Sequence, residues 1–513
     1  MNRKSVFSLV LWAILLISVV GGSVAGAAGP SAAVDDRSIA HWVKNALRND
    51  VRVDVSTIEV TVKDGIVTLS GEVGSLAEKE YAGNDARKIV GVKGVINGLQ
   101  INPALYADND ICHMVRRRIL NSAIIKDDNS IKVSCEEGKV VLTGEVDSWP
   151  ERDEATLLAS EVDGVTEVEN KILVRKLSRR SDEEWKEAAM TMLRLDSYLT
   201  GLPITVTVEN GEVILSGSVR SLYERNRATH RIAILGAKRV VNNLQIDPEL
   251  SKQAPKVETS VNDAELKLAV ETVLDLDTRI DARNIVVKAD SGHVELDGSV
   301  INAYEKRIAG QDAKEVVGVG WVTNNLIVRV PKRADRFIRE DVLFNLHSDH
   351  SLVGTAIVVR VNRGVVTLSG QVHNWYQKTR AEEIAERVKG VKKVVNHLRV
   401  YRATGKSDQE LAKAIRKRLK WNVITWWVHD RIKVEVVNGV AILTGDVDTW
   451  SERMEAARVA FQTEGIWEVE NRLSVAGYGY RWEEWYKNVP DLYDPYYEPD
   501  HGAYHGLYNE RWW

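Results

Sequence analysis

One nine-residue stretch, Gly65 to Val73 (GIVTLSGEV), is written six times along the chain, and this repetition constrains the fold more than any other feature. It returns as GKVVLTGEV (Gly138–Val146), GEVILSGSV (Gly211–Val219), GHVELDGSV (Gly292–Val300), GVVTLSGQV (Gly364–Val372) and GVAILTGDV (Gly439–Val447). Each copy has Gly, then an apolar residue two on, Leu at four, Gly at six and Val at eight. Spacing of two puts Val67, Leu69, Gly71 and Val73 on one face of a strand, with Thr68, Ser70 and Glu72 opposite. The interior glycine is therefore expected on the buried face, where a missing side chain lets a helix or bulge approach. Six copies specify a module in tandem and carry no chemistry of their own.

The flanking sequence completes the module. Ile39, Val43, Ala46 and Leu47 have helical spacing, and counterpart helices begin near Asp108, Asp182, Asp263, Asp335 and Asp408. Alternating Ile58, Val60 and Val62 predict a strand, turned into the repeated stretch at Asp64-Gly65; Asn210-Gly211 and Asn438-Gly439 are equally strong hairpin signals. A second helix starts with capping-box spacing, as in Ser75/Glu78 and Thr449/Glu452, and is expected to end at Gly91, Gly164, Gly236, Gly318, Gly390 and Gly465. A closing strand, G-V-x-x-V-x-N-x-L-x-V, should return by a right-handed crossover and lie parallel to the middle strand. The fold class is thus α+β: six tandem αββαβ modules, each a three-stranded mixed sheet with two helices on one face. The modules span 36–103, 108–176, 181–248, 262–331, 335–402 and 407–476, with a linker at 249–261. Such an array is expected to be elongated, with few contacts between distant repeats.

At 513 residues, 44% hydrophobic and 28% charged, with net charge −4, the chain has globular composition and no overall affinity for nucleic acid or anionic lipid. Residues 1–27 read as a cleaved export signal: Arg3 and Lys4, an apolar run from Val6 to Val20, then Ala25-Gly26-Ala27. Export to a bacterial periplasm is the expectation, and it permits a disulfide between the two cysteines, Cys112 and Cys135, although two small core residues fit equally. Residues 477–513, dense in Tyr, Trp, Pro and Gly, lack any period and are expected to be disordered, with aromatic content suited to docking.

The strand V-x-L-x-G-x-V, followed by a helix and G-V-x-x-V-x-N-x-L-x-V, resembles the BON domain, and the resemblance covers about 36–476. It implies an αββαβ unit, placement in the bacterial envelope and contact with phospholipid, and it brings no catalytic residues. No cofactor, metal site, small-molecule substrate or nucleic-acid partner is expected. Gly91-Val92-Lys93-Gly94 has the G-x-x-G of a KH loop in one repeat only, and His501 and His505 are flanked by glycines that oppose a helix.

The strongest candidate for a membrane surface is the first helix of repeat six. Lys413, Arg416, Lys417 and Lys420 form one basic stripe, Trp421 closes the helix, and Trp426 and Trp427 follow. Cations attract headgroups and indole rings enter the boundary layer; the bland alternative is a solvated helix face with Trp packed at a domain joint. Arg116, Arg117 and Arg118, with Arg175, Lys176, Arg179 and Arg180, form a second basic region, although three consecutive residues wrap around a helix. Trp149, Trp375 and Trp450 follow the second-helix cap in three repeats and read as packing at the helix start. The expected partner is a phospholipid surface, or an envelope protein met through the aromatic tail.

Overall fold

Repeat two shows the module whole: helix Asp108–Asn121, strands Ile131–Glu136 and Lys139–Val146, helix Trp149–Ser160, strand Glu167–Val174. The middle strand is antiparallel to the first, with Val133 opposite Leu142, and parallel to the third, with Leu142 opposite Asn170. Val133, Val140, Leu142 and Val146 join Ile111, Val115 and Ile119 of the first helix and Leu158 of the second in one core. Lys132, Ser134 and Glu145, on the alternate face, are exposed. The order first–middle–third recurs in all six repeats. The structure is a computed structural model that describes residues 34–475 except 51, 102–105, 127, 176–179, 238, 248, 251–260 and 401–404. The expected export signal, most of the linker, the aromatic tail and His501 and His505 lie outside the described residues.

Two recurring polar side chains tie each module together. The Asp that opens the first helix accepts both backbone N–H groups of the hairpin turn; Asp36 takes those of Asp64 and Gly65, each at 2.8 Å. Asp108, Asp182, Asp335 and Asp408 do the same, and Asp263 takes the Ser291 N–H at 2.7 Å. This bond holds the left-handed turn residue even where it is Glu137 (φ 51°) or Arg363 (φ 51°), types that seldom adopt that conformation. The Asn of the closing strand bridges to the second helix: Asn396 Nδ2 donates to the Lys378 carbonyl at 2.9 Å, and Asn396 Oδ1 accepts from Leu398 N at 3.1 Å. Asn396→Ala removes the second acceptor bond of the Lys378 carbonyl and leaves the Leu398 N–H without its side-chain acceptor, and is expected to cost about 1–2 kcal/mol in urea unfolding. An unchanged midpoint would show that the bridge contributes nothing net.

The glycines depart from expectation in two ways. The interior Gly71, Gly144, Gly217, Gly298, Gly370 and Gly445 are not buried; they take φ of 112–126°. An added Cβ there would stand 2.0–2.2 Å from the carbonyl oxygen just before the first strand. The glycines expected to stop the second helix take φ of 85–103°, but the helices end earlier, at Arg87, Ser160, Ala233, Lys314, Glu386 and Phe461. In repeats one to five a residue of the intervening stretch is hydrogen-bonded to another repeat.

That pairing overturns the elongated array. Ile89 of repeat one bridges Asn422 of repeat six, Ser122 and Val162 of repeat two bridge Val388 and Asp349 of repeat five, and Asp196 of repeat three bridges Val316 of repeat four. Around repeats two and five the bonds are reciprocal: Ala123 N donates to Arg387 O at 2.7 Å, and Lys389 N donates to Asn121 O at 2.9 Å. Repeats three and four share one continuous apolar core. The repeats therefore pair in reverse order, 1·6, 2·5 and 3·4.

Each half also closes on itself through the residue after the second-helix cap. Leu76 packs on the core of repeat two, Trp149 reaches Gly236 of repeat three, and Leu222 packs on the core of repeat one. In the other half that position of repeat four is the small Ala303, and the link to repeat five is made further along the helix, where Arg307 pairs with Glu386 at 2.9 Å. Trp375 of repeat five stacks on Phe461 of repeat six (4.6 Å between centroids), and Trp450 of repeat six lies 5.5 Å from the Lys314 ammonium of repeat four. The tryptophans read as helix-start packing are therefore keys between repeats. The pattern is that of three two-fold pairs arranged around a pseudo-three-fold axis.

Candidate functional site

Diagonal contacts follow from that arrangement, and one of them is open. Two residues past Asp50, Ser122, Asp196, Asp277, Asp349 and Asn422, which align from repeat to repeat after the first helix, stand Arg52, Ile124, Tyr198, Arg279, Ser351 and Ile424. Where repeat three meets repeat six, Tyr198 and Tyr223 pack edge to face at 5.3 Å beside Ile424, and the Tyr198 hydroxyl donates to Ile424 O at 3.1 Å. Where repeat one meets repeat five, the equivalent residues are Arg52 and the small Ser351. A cleft of about 640 Å³ remains there, with Glu161 of repeat two at its edge.

Most of the cleft's polar wall is already engaged. Arg52 binds Asp50 (2.5 Å) and Asp85 (3.2 Å) and covers the Tyr81 ring at 4.3 Å; Tyr81 and Tyr376 share a 2.7 Å hydrogen bond. Glu78 accepts from Asp54 N (2.5 Å) and Gly74 N (2.8 Å). His350 Nδ1 lies 2.9 Å from Asp163 Oδ1, joining repeats five and two. Among the described residues no group of three or more His, Cys, Asp or Glu is placed to hold a metal ion, and no helix is long and apolar enough to cross a membrane.

The bond to Asp163 raises the His350 pKa above about 6.5, assisted by the nearby carboxylates Glu78 and Asp349. Burial pushes the Asp163 carboxyl up, but His350 and Tyr106 outweigh it and hold it low. Burial pushes Glu382, on the second helix of repeat five, to about 7. A raised His350 adds stability below about pH 6.5 that is lost as pH rises through its folded value. Glu382 keeps a proton in the folded state between about pH 4.5 and 7 that the unfolded chain has released, so it too favours folding less as pH rises. The urea midpoint is expected to fall from pH 5.5 to pH 8, and His350→Asn should shrink that difference. Burial pushes His230 down to about 3, which works in the opposite direction, so the sign at His350 is read from the variant: an unchanged pH difference in His350→Asn contradicts it.

The sequence-derived candidates are dispersed by the fold. Lys413, Arg416, Lys417 and Lys420 are all exposed on the helix Asp408–Trp421. Arg416 donates to Val434 O at 2.8 Å, Lys417 Nζ lies 4.5 Å above the Trp421 ring, and none of the four forms an ion pair among the described residues. Trp421 does not face solvent: it is 7% exposed and stacks on Trp42 of repeat one at 5.7 Å. Trp427 is half-buried against the core of repeat six, and half-buried Trp426 lies 6.0 Å from the His429 ring. The cations thus share a surface, while Trp421 is spent on the 1·6 joint. The second basic region dissolves: Arg118 is 1% exposed and bonded to Glu161 at 2.8 Å, and Arg117 lies 3.9 Å over Phe344 of repeat five. Arg175 pairs with Asp147 at 3.3 Å and Arg180 donates to Leu235 O, while Lys176 and Arg179 lie outside the described residues. Cys112 and Cys135 are disulfide-bonded, 5.7 Å between Cα atoms, joining the first helix of repeat two to its first strand.

Residues 35–103, 107–176, 181–248, 262–330, 334–401 and 407–477 match the family profile of the BON domain. Osmotically-inducible protein Y of Escherichia coli (strain K12) is 33% identical over 144 residues, 27% of this chain and 71% of that protein. Outer membrane lipoprotein DolP of Haemophilus influenzae is 28% identical over 138 residues, 26% of this chain and 72% of its own. The C-terminal domain of CdsD, a structural protein of the type III secretion system of Chlamydia trachomatis, aligns with 42% of this chain and all of its own at 17% identity and TM-score 0.12. A likeness at that level says nothing about how six repeats are arranged.

Proposed function

The chain belongs to the BON-domain family, and from that premise we propose that it is an exported, non-catalytic periplasmic protein that meets the cell envelope at anionic phospholipid. Relatives named as osmotically inducible and as an outer membrane lipoprotein support the envelope setting and a part in osmotic stress or envelope integrity. The observation that carries the lipid reading is the exposed stripe of Lys413, Arg416, Lys417 and Lys420, unopposed by any described carboxylate. Near an anionic surface each cation contributes about 1 kcal/mol, and the attraction fades within a Debye length. In liposome flotation the full chain should float with phosphatidylglycerol vesicles at low salt and stay down with neutral ones. Changing all four cations to Gln should cut the floated fraction at least tenfold. Equal flotation of the two proteins would end the reading.

The second reading is a periplasmic scaffold that docks through the aromatic residues 477–513. It requires that deleting this segment abolish recovery of an envelope partner while flotation is unchanged.

A further inference from the structure

The three paired interfaces carry a sign pattern. Counting from the second-helix N-cap, position six reads Tyr81, Glu154, Arg227, Ile308, Arg380 and Glu455 through the six repeats. Position thirteen reads Lys88, Glu161, Ile234, Glu315, Arg387 and Gln462. A two-fold axis brings position six of one repeat against position thirteen of its mate. Glu154 meets Arg387 at 2.9 Å, and Glu161 meets Arg380. Arg227 meets Glu315 at 3.1 Å, and Glu455 meets Lys88 at 3.9 Å. The remaining combinations in this matching, Tyr81 with Gln462 and Ile308 with Ile234, carry no charge. Every charge at these positions thus finds the opposite sign, and each of the eight charged side chains is buried or nearly so.

Pairing a repeat with its own kind breaks the pattern. Two copies of repeat two would place Glu154 against Glu161, and two copies of repeat five would place Arg380 against Arg387. Like charges in a dry interface are costly, which suppresses wrong partners. We infer that residues 34–250 and 261–475 are two complementary protomers that recognise each other by this charge code, and that a second copy of the chain can supply either half. The covalent linker is then a tether and not a determinant of the fold.

The test uses the full chain with a protease site placed within residues 251–260. After folding and cutting, native mass spectrometry should find the halves together at one to one. Heavy- and light-isotope cut chains, unfolded together in urea and refolded, should give hybrid N-half·C-half complexes, with N·N and C·C forms at least tenfold scarcer. The uncut chain, refolded alongside, separates a refolding failure from a recognition failure. If it refolds while the cut halves stay apart or pair like with like, the inference is overturned. A chain carrying Glu154→Arg and Arg387→Glu, the pair whose ion-pair partners lie only across the interface, should pair within itself but form tenfold fewer hybrids with wild-type halves. Free mixing of the two would show that charge sign does not select the partner. Should that chain not fold, Arg387→Gln C-halves, competed against wild-type C-halves for wild-type N-halves, must be recovered at least threefold less; equal recovery overturns the code.

Discussion

Arg380→Met is expected to lower the unfolding free energy by about 3–5 kcal/mol, the range for breaking a buried ion pair by removing one partner. Arg380 is 2% exposed; it binds Asp349 at 2.7 Å and contacts Glu161, while Arg118 reaches the same two carboxylates at 3.6 and 2.8 Å. Glu383 also reaches Arg380 at 3.5 Å, so Arg118 and Arg380 hold three buried carboxylates in the dry 2·5 interface. Losing one cation strands a negative charge that water cannot reach, and Met restores volume but no charge. Arg283→Ala, removing a solvent-exposed partner of Asp281, should by contrast leave stability unchanged, since exposed pairs contribute little. Urea unfolding of both variants decides it. A loss below about 1 kcal/mol at Arg380 would mean that the cluster is hydrated and that the interface does not depend on it.

Gly217→Ala should cost roughly 2–6 kcal/mol by two additive routes. The backbone sits at φ 116°, open to glycine and forbidding to a side chain, and the new Cβ would stand 2.0 Å from the Pro203 carbonyl oxygen. The obstacle is backbone, so no rotamer change relieves it, and the paired strands must move apart there. Gly201 is the control. It has φ 73° with nothing within 4 Å, so Gly201→Ala carries conformational strain alone, about 1–2 kcal/mol. Equal losses at the two positions would show that the close approach does not matter.

The candidate surface was only half legible before the fold was known. Helical spacing put Lys413, Arg416, Lys417 and Lys420 on one side, and they stand there exposed. The same reasoning attached Trp421 to that surface, because nothing local distinguishes an indole facing lipid from one that Trp42, almost four hundred residues earlier, will cover. Arg118 misled in the same way: its neighbours Arg116 and Arg117 made it look like surface charge, and its carboxylate partners lie on other elements. A signal did exist in the opposed signs at Glu154/Glu161 and Arg380/Arg387, but it becomes readable only once the repeats are aligned in register and matched in reverse order.

The sequence by itself determined the module. Alternation of apolar residues, the hairpin turns, the second-helix caps, and the Asp and Asn that recur once per repeat act over distances within one repeat, where the chain's own periodicity sets which groups meet. The order in which repeats pair was settled by tertiary structure alone. That choice depends on burying opposite charges and large rings against surfaces hundreds of residues away, and the free energy of doing so belongs to the assembled faces, not to either stretch of chain.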